Sequence, residues 1–417
     1  MALFSSPLVR ITCLFIIVLS IMGAISVVLY LWVPGVSAIV AVVVAGAVVI
    51  VVYVFIMRSK RRKRIVSDQE IGMVDEGLED DLNQLSGLPL RFTYEQLRIA
   101  TKNFEKKLGN GSFGTVFEGA QENGRKIAVK RLEALGQGKK EFLAEVKTVG
   151  SIHHLNLVTL IGFCVENSHR LLVYEFMSNG SLDKWIFYKD QPLLDWQTRK
   201  AIILGIAKGL VYLHEECKWK IVHLDIKPQN ILLDENLQAK ISDFGMSTLI
   251  ERDQSQVVTA IRGTFGYMAP ELLNSIITKK ADVYSFGVVV MEIVCGRRNI
   301  DRSLPEECMF LLLMFMRNAK EDQWSDMIDK NCEDMQLHRL EVVEMMKVAV
   351  WCLQNDYKRR PSMSTVVKVL NGTMKVEADL DYSIHYPATP AATKREEEEL
   401  GYASATPLLP WTLSGPR

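Results

Sequence analysis

Residues 11–57 contain no charged side chain, and only Pro34-Gly35 interrupts an otherwise apolar run. Each half, 11–33 and 36–57, is long enough to cross a bilayer as a helix, because 22 residues rise about 33 Å. A soluble core has no use for so long an uninterrupted apolar stretch, so the run predicts membrane insertion. Arg58 and Lys60 to Arg64 follow at once. Such a basic flank stays on the cytoplasmic side and is drawn to anionic lipid by about 1 kcal/mol per side chain. The lipid bilayer is therefore a predicted partner, and the rest of the chain is predicted to face the cytoplasm. The first half reads in two ways. Arg10 before it and Met22-Gly23-Ala24 within it suit a cleaved leader, whereas its length exceeds the roughly 7–15 apolar residues of a leader core. The alternative is a helical hairpin turning at Pro34-Gly35 with both ends cytoplasmic, which the length favours. Under either reading, almost nothing of this sequence is expected on the far, non-cytoplasmic side of the membrane.

Basic and acidic residues balance at 49 each, which predicts no nucleic-acid partner and no acidic one. Cysteines 13, 164, 217, 295, 308, 332 and 352 show no paired spacing and read as reduced thiols. Residues 58–101 read as a linker, basic and then acidic (Asp75, Glu76, Glu79, Asp80, Asp81), with a short amphipathic segment near its end that Thr93 can cap. Residues 102–375 carry the periodic patterns of a folded domain. Residues 376–417, with five prolines and the run Glu396 to Glu399, read as a disordered tail.

The chemistry concentrates in Val222-His223-Leu224-Asp225-Ile226-Lys227-Pro228-Gln229-Asn230. Apolar residues on both sides (Ile221 and Val222; Ile231, Leu232 and Leu233) predict a polar loop held between two short strands. Asp225 can accept the proton of an attacking hydroxyl, Lys227 can neutralise a transferring phosphoryl group, and Asn230 can offer oxygen to a hard cation. Phosphoryl transfer needs these parts, because its catalysis is mostly positioning and charge neutralisation. Alone, such a loop could be an ordinary solvated turn. Asp243-Phe244-Gly245 follows the short strand Ala239-Lys240-Ile241, however, and supplies a second cation ligand in Asp243. The pair resembles the catalytic loop and metal-binding triplet of eukaryotic protein kinases.

Upstream, Leu108-Gly109-Asn110-Gly111-Ser112-Phe113-Gly114-Thr115-Val116 is a glycine-rich run. Strand-type residues follow it instead of a helix, which argues against a dinucleotide-binding unit. A glycine hairpin lets backbone N–H groups approach phosphates. Strand alternation then puts Ala128 and Lys130 on one face, the first small enough to lie against an adenine ring and the second able to reach phosphate oxygens. Phe142, Val146 and Val149 form a helical stripe, with Glu145 and, one turn earlier, Glu141 as possible partners for Lys130.

Residues 88 to about 374 resemble a plant receptor-like serine/threonine kinase of the G-type lectin S-receptor-like class. Arg91-Phe92-Thr93-Tyr94, Gly136-Gln137-Gly138-Lys139-Lys140-Glu141-Phe142, Gly150-Ser151-Ile152-His153-His154 and Trp185-Ile186-Phe187 carry the subclass likeness. The resemblance implies an α+β, bilobal fold: a small antiparallel-sheet lobe with one helix, and a larger, mainly helical lobe, behind one or two transmembrane helices. It implies ATP and Mg²⁺ as cofactors, a protein Ser/Thr acceptor as substrate, and a plasma-membrane address. It assigns Asp225, Lys227 and Asn230 to catalysis, Asn230 and Asp243 to the metal, and settles the partner of Lys130 on Glu145. The nucleotide site would comprise residues 108–116, Ala128, Lys130, Glu145, Glu175, Met177 and Leu232. Glu175 and Met177 belong to the hinge after Tyr174, which guards the back pocket. Asp282 would bond the catalytic loop, Glu271 would pair with Arg360, and Thr264 would sit near the acceptor. Two features depart from the class. No lectin-type ectodomain is present in this sequence, so an ectodomain-bearing co-receptor is an expected partner, and Leu224 replaces the arginine common before the catalytic aspartate. A pseudokinase scaffold is the competing reading; against it, all six catalytic positions are filled.

Overall fold

Strand-forming runs between residues 90 and 175 pair into one six-stranded sheet in the computed structural model, which describes residues 89–383 apart from 112–113, 133–136, 151, 167–168, 189–190 and 259–261. The strands are β1 (Leu90–Arg91), β2 (Lys107–Gly111), β3 (Gly114–Ala120), β4 (Lys126–Leu132), β5 (Leu160–Glu166) and β6 (His169–Glu175). Their order across the sheet is β1-β5-β6-β4-β3-β2, antiparallel except where β1 joins β5. Ile127 and Val129 of β4 point into a core with Leu97, Cys164, Leu171 and Val173. The two-residue period sends Ala128 and Lys130 to the opposite face.

The predicted linker, 58–101, gives way to folded structure by Leu90, so the small lobe begins before residue 102. Helix α1 (Tyr94–Ala100) opens with a capping box between Thr93 and Gln96, and its Leu97 is fully buried. The Tyr94 ring stacks on His169 at 3.8 Å. Gly162 makes the docking of β1 possible, since a Cβ there would lie 2.3 Å from the Leu90 carbonyl oxygen. The surface that receives this segment is built some 70 residues downstream, which the local pattern does not disclose.

After helix α2 (Gln137–Val149) and the sheet, the chain becomes mainly helical. Helix α3 (Leu182–Phe187) leads to α4 (Trp196–Val211), and α5 (Lys280–Cys295) runs through the large lobe with every residue from Ala281 to Cys295 buried. Helices α6 (Leu311–Lys320) and α7 (Arg339–Cys352) pack on α5, and α8 (Met363–Leu370) packs on α4. Three small antiparallel ladders ride on this scaffold: β7 (Lys220–Val222) with β10 (Thr248–Ile250), β8 (Ile231–Leu233) with β9 (Ala239–Ile241), and β11 (Val257–Val258) with β12 (Ile276–Ile277). This is the two-lobed α+β arrangement that the resemblance implies.

Hydrogen bonds to the large lobe also continue past residue 376. The Gln354 side chain donates to the Asp381 carbonyl and accepts from the Asp381 N–H, both at 3.0 Å. Asn355 donates to the Ser383 carbonyl at 2.7 Å. Residues 379–383 are thus strapped to the large lobe by main-chain contacts that carry little side-chain signature. Both predicted spans, 11–33 and 36–57, and residues 384–417 lie outside the described residues. Among the described residues no helix is long and apolar enough to cross a membrane.

Candidate active site

A cluster of three buried charges joins β4, α2 and the turn after β9. Lys130 bonds Glu145 on α2 and, at 2.7 Å, Asp243 Oδ1. Burial works against a charged Lys130, but Asp243 and Glu145 outweigh it and hold its pKa above the usual lysine range. Burial pushes the Glu145 carboxyl up to about 7, with Lys130 pulling the other way. For Asp243 burial is likewise unfavourable to the anion, yet the charge and hydrogen bond of Lys130 keep its pKa below the ordinary value. The Tyr174 hydroxyl donates to the other Glu145 oxygen, a tie that the spacing of tyrosine and glutamate does not reveal.

The loop between β7 and β8 is shaped by one buried carboxylate. Asp282, in the first turn of α5, accepts the N–H groups of His223 and Leu224 at 2.8 Å each, and His214 Nε2 lies 2.8 Å away. Leu224 has φ +65°, a left-handed conformation that costs a branched residue on the order of 1–3 kcal/mol. The two bonds to Asp282 offset that strain, and the leucine side chain packs inward. His223 takes the Asp225 N–H on Nδ1 (3.2 Å), so its Nε2–H donates to the Ser242 carbonyl at 3.0 Å. It thereby bolts the loop to the residue before Asp243, a role its position alone does not announce.

Asp225 is 2% exposed, and every contact of its carboxylate is a donor. Oδ1 accepts from the Thr264 hydroxyl at 2.5 Å, while Oδ2 accepts from Asn230 Nδ2 and pairs with Lys227, both at 2.8 Å. Lys227 also donates to Thr264 Oγ1 at 2.8 Å. A hydroxyl, a carboxylate and an ammonium therefore meet at one point, the geometry that hydroxyl deprotonation beside a transferring phosphoryl group requires.

The residues predicted for the nucleotide come from β2, β3, β4, α2, β8 and the end of β6. Leu108 (β2), Val116 (β3), Ala128 (β4) and Leu232 (β8) are each half-buried, while their strand neighbours Phe117, Val129 and Leu233 are buried. Gly109, Asn110 and Gly111 pair with Val116, Thr115 and Gly114 in the hairpin. Gly114 has φ +157°, and a Cβ there would lie 2.3 Å from the Arg131 carbonyl, so only glycine fits. At Gly109 a Cβ would meet nothing within 4 Å, which leaves room for a phosphate against the backbone. Ser112 and Phe113 lie outside the described residues. Glu175 Oε1 accepts from the Thr159 N–H (2.8 Å) and from Lys240 (2.9 Å), and the Glu175 N–H donates to the Thr159 carbonyl at 3.1 Å. Met177 is buried beside it and its carbonyl accepts the Gly180 N–H at 3.3 Å.

Two oxygens fit a hard cation. The Asn230 amide nitrogen is spent on Asp225, which turns its Oδ1 outward, and Asp243 engages Lys130 through Oδ1 alone. Ser242 bonds the Asn230 carbonyl through both N–H and hydroxyl at 2.9 Å, which ties Asn230 to the residue preceding Asp243. One carboxylate and one amide oxygen, completed by phosphate and water, is a donor set typical of Mg²⁺.

A family description reading "Protein kinase domain" matches residues 103–370. The chain belongs to the protein kinase family. Among curated proteins this kinase is 51% identical over 322 residues to the G-type lectin S-receptor-like serine/threonine-protein kinase SD2-5 of Arabidopsis thaliana, covering 76% of this chain and 39% of that protein. It is 41% identical over 350 residues to SD2-2 of the same plant (82% and 42%). It is 45% identical over 303 residues to LECRK3 of Oryza sativa subsp. indica (72% and 37%). The kinase therefore spans about two-fifths of the length of these relatives, and the family match over 103–370 contains its whole candidate site.

Proposed function

We propose that this protein is an active, membrane-anchored serine/threonine kinase that transfers the γ-phosphoryl group of ATP to a protein hydroxyl. The observation that carries the reading is the meeting of Thr264, Asp225 and Lys227 at hydrogen-bond distance. An acceptor hydroxyl entering there would replace Thr264 on Asp225 Oδ1 and lose its proton to that oxygen, while Lys227 faces the incoming phosphoryl charge. Lys130, oriented by Glu145, would hold the α- and β-phosphates. Leu108, Val116, Ala128 and Leu232 would sandwich the adenine, with the Glu175 and Met177 backbone reading its edge. Asn230 Oδ1 and Asp243 Oδ2 would hold Mg²⁺, which when bound neutralises phosphate charge. The lysine two residues after Asp225 and the hydroxyl of Thr264 favour serine or threonine over tyrosine as acceptor. Incubated with ATP, Mg²⁺ and a generic protein acceptor, the purified chain should yield phosphoserine and phosphothreonine, and EDTA should abolish the transfer. ATP binding without any transfer would instead establish a pseudokinase.

The membrane anchor rests on the uncharged run 11–57 and its basic flank. We favour the hairpin, which leaves the first residues on the mature chain and both ends in the cytosol. Mass measurement of the mature N-terminus decides this, since a start near Ile25 is incompatible with a hairpin.

A further inference from the structure

We propose that a second cleft, on the large lobe, binds a phosphate-type dianion. Lys220, Arg252, Lys279, His214 and Ser362 line it, and none of them belongs to the nucleotide cleft. Lys220 Nζ donates to the carbonyl oxygens of Arg252 and Gln254, both at 2.7 Å. Arg252 donates through Nε to Lys218 O at 3.2 Å and through Nη2 to Cys217 O at 2.7 Å and Glu216 O at 3.4 Å. All these acceptors are neutral main-chain carbonyls. They hold the two cations in place without cancelling their charge, and neither cation forms an ion pair among the described residues. Lys279 has one carboxylate, Glu215, at 3.6 Å, which also lines the cleft. Three cations thus face one carboxylate, an excess that a dianion matches.

His214 supplies an independent sign of a ligand. It is 2% exposed, its Nε2 is engaged by Asp282, and its Nδ1 is buried without a hydrogen-bond partner. Such an orphaned group is costly, and a bound P–OH or phosphate oxygen would satisfy the ring in either protonation state. The N-terminus of α8, where Ser362 caps the helix, adds the positive end of a helix dipole to the same cleft.

The phosphate has two possible sources. Ser255 is exposed, three residues beyond Arg252, so a phosphate ester formed on it could fold back; otherwise phosphate comes from solution. Leu224 offers no cation to a phosphorylated segment, and Lys220, Arg252 and Lys279 would take that part. Because inorganic phosphate can be tested without turnover, the site stands or falls separately from the proposed activity.

The test is thermal melting of the full chain against inorganic phosphate at constant ionic strength, with ³¹P line broadening as a readout independent of unfolding. Saturable stabilisation is expected, weakened about tenfold or more by each of Arg252→Gln and Lys279→Gln. The half-exposed Lys279 variant decides the matter should Arg252→Gln fail to fold. No saturable response in the parent, or an equal response in both variants, overturns the proposal. Prior incubation with ATP identifies the source. If Ser255 phosphate fills the cleft, the parent loses its response to added phosphate and Ser255→Ala keeps it; if both keep it, the occupant comes from solution.

Discussion

Asp225→Asn should slow phosphotransfer about 10²–10⁴-fold while leaving ATP affinity within about threefold, under 1 kcal/mol. The expectation follows from what surrounds the carboxylate. Oδ2 takes Asn230 Nδ2 and Lys227 Nζ, and an asparagine oxygen can serve both. Oδ1 takes the Thr264 hydroxyl, which can rotate to accept from an asparagine N–H₂. The loop therefore keeps its shape, Leu224 and His223 stay bonded to Asp282, and only the proton acceptor disappears. None of Leu108, Val116, Ala128, Lys130 and Leu232, the residues proposed for the nucleotide, bonds the Asp225 carboxylate. Steady-state phosphotransfer and nucleotide titration on the purified variant measure the two quantities separately. Activity within tenfold of the parent would mean that another group takes the proton.

Arg360→Met is expected to destabilise the fold by about 3–5 kcal/mol, because it leaves a buried partner charge uncompensated. Arg360 is 1% exposed and forms a bidentate pair with Glu271 at 2.7 and 2.8 Å. Its remaining donors reach the carbonyls of Gln354 (2.7 Å), Lys280 (2.9 Å) and Asn355 (3.3 Å), and its guanidinium lies 5.0 Å from the Tyr284 ring centroid. Methionine fills the volume but abandons the Glu271 carboxylate and those carbonyls together. Against a total of about 5–15 kcal/mol, this is a large share, and melting should fall on the order of 10 °C. Arg360→Lys cannot reproduce the planar fork and should fall between parent and methionine. Arg360→Met combined with Glu271→Leu should lose less than Arg360→Met alone, since no unpaired charge remains. A melting point for Arg360→Met within about 2 °C of the parent would contradict this account.

Much of the site could be read from residues close together in the chain. Asp225, Lys227 and Asn230 share one loop, and strand alternation alone puts Ala128 and Lys130 on the face away from Leu97. The fully buried α5 shows in the sequence as a helix apolar nearly all round. Reading failed where partners are remote. Glu141 and Glu145 are one helical turn apart and both buried, so nothing local separates them; the approach of Lys130 and Tyr174 to Glu145 does. The ordered contacts outside 102–375 were hidden for the same reason, since Gly162 receives Leu90 and Gln354 receives Asp381 across long stretches of chain.

The amino-acid order alone determined the strand and helix periods, the glycine hairpin, the polar loop and the uncharged run 11–57, because each is written in neighbouring residues whose spacing matches a backbone repeat. Tertiary structure decided which charges meet. It placed Asp243 against Lys130, 113 positions away, aimed the carboxylate of Asp282 at two N–H groups of the catalytic loop, and gathered Lys220, Arg252 and Lys279 around one cleft. Side-chain interactions act over a few ångströms, so they depend on how the elements pack rather than on how far apart their residues lie along the chain.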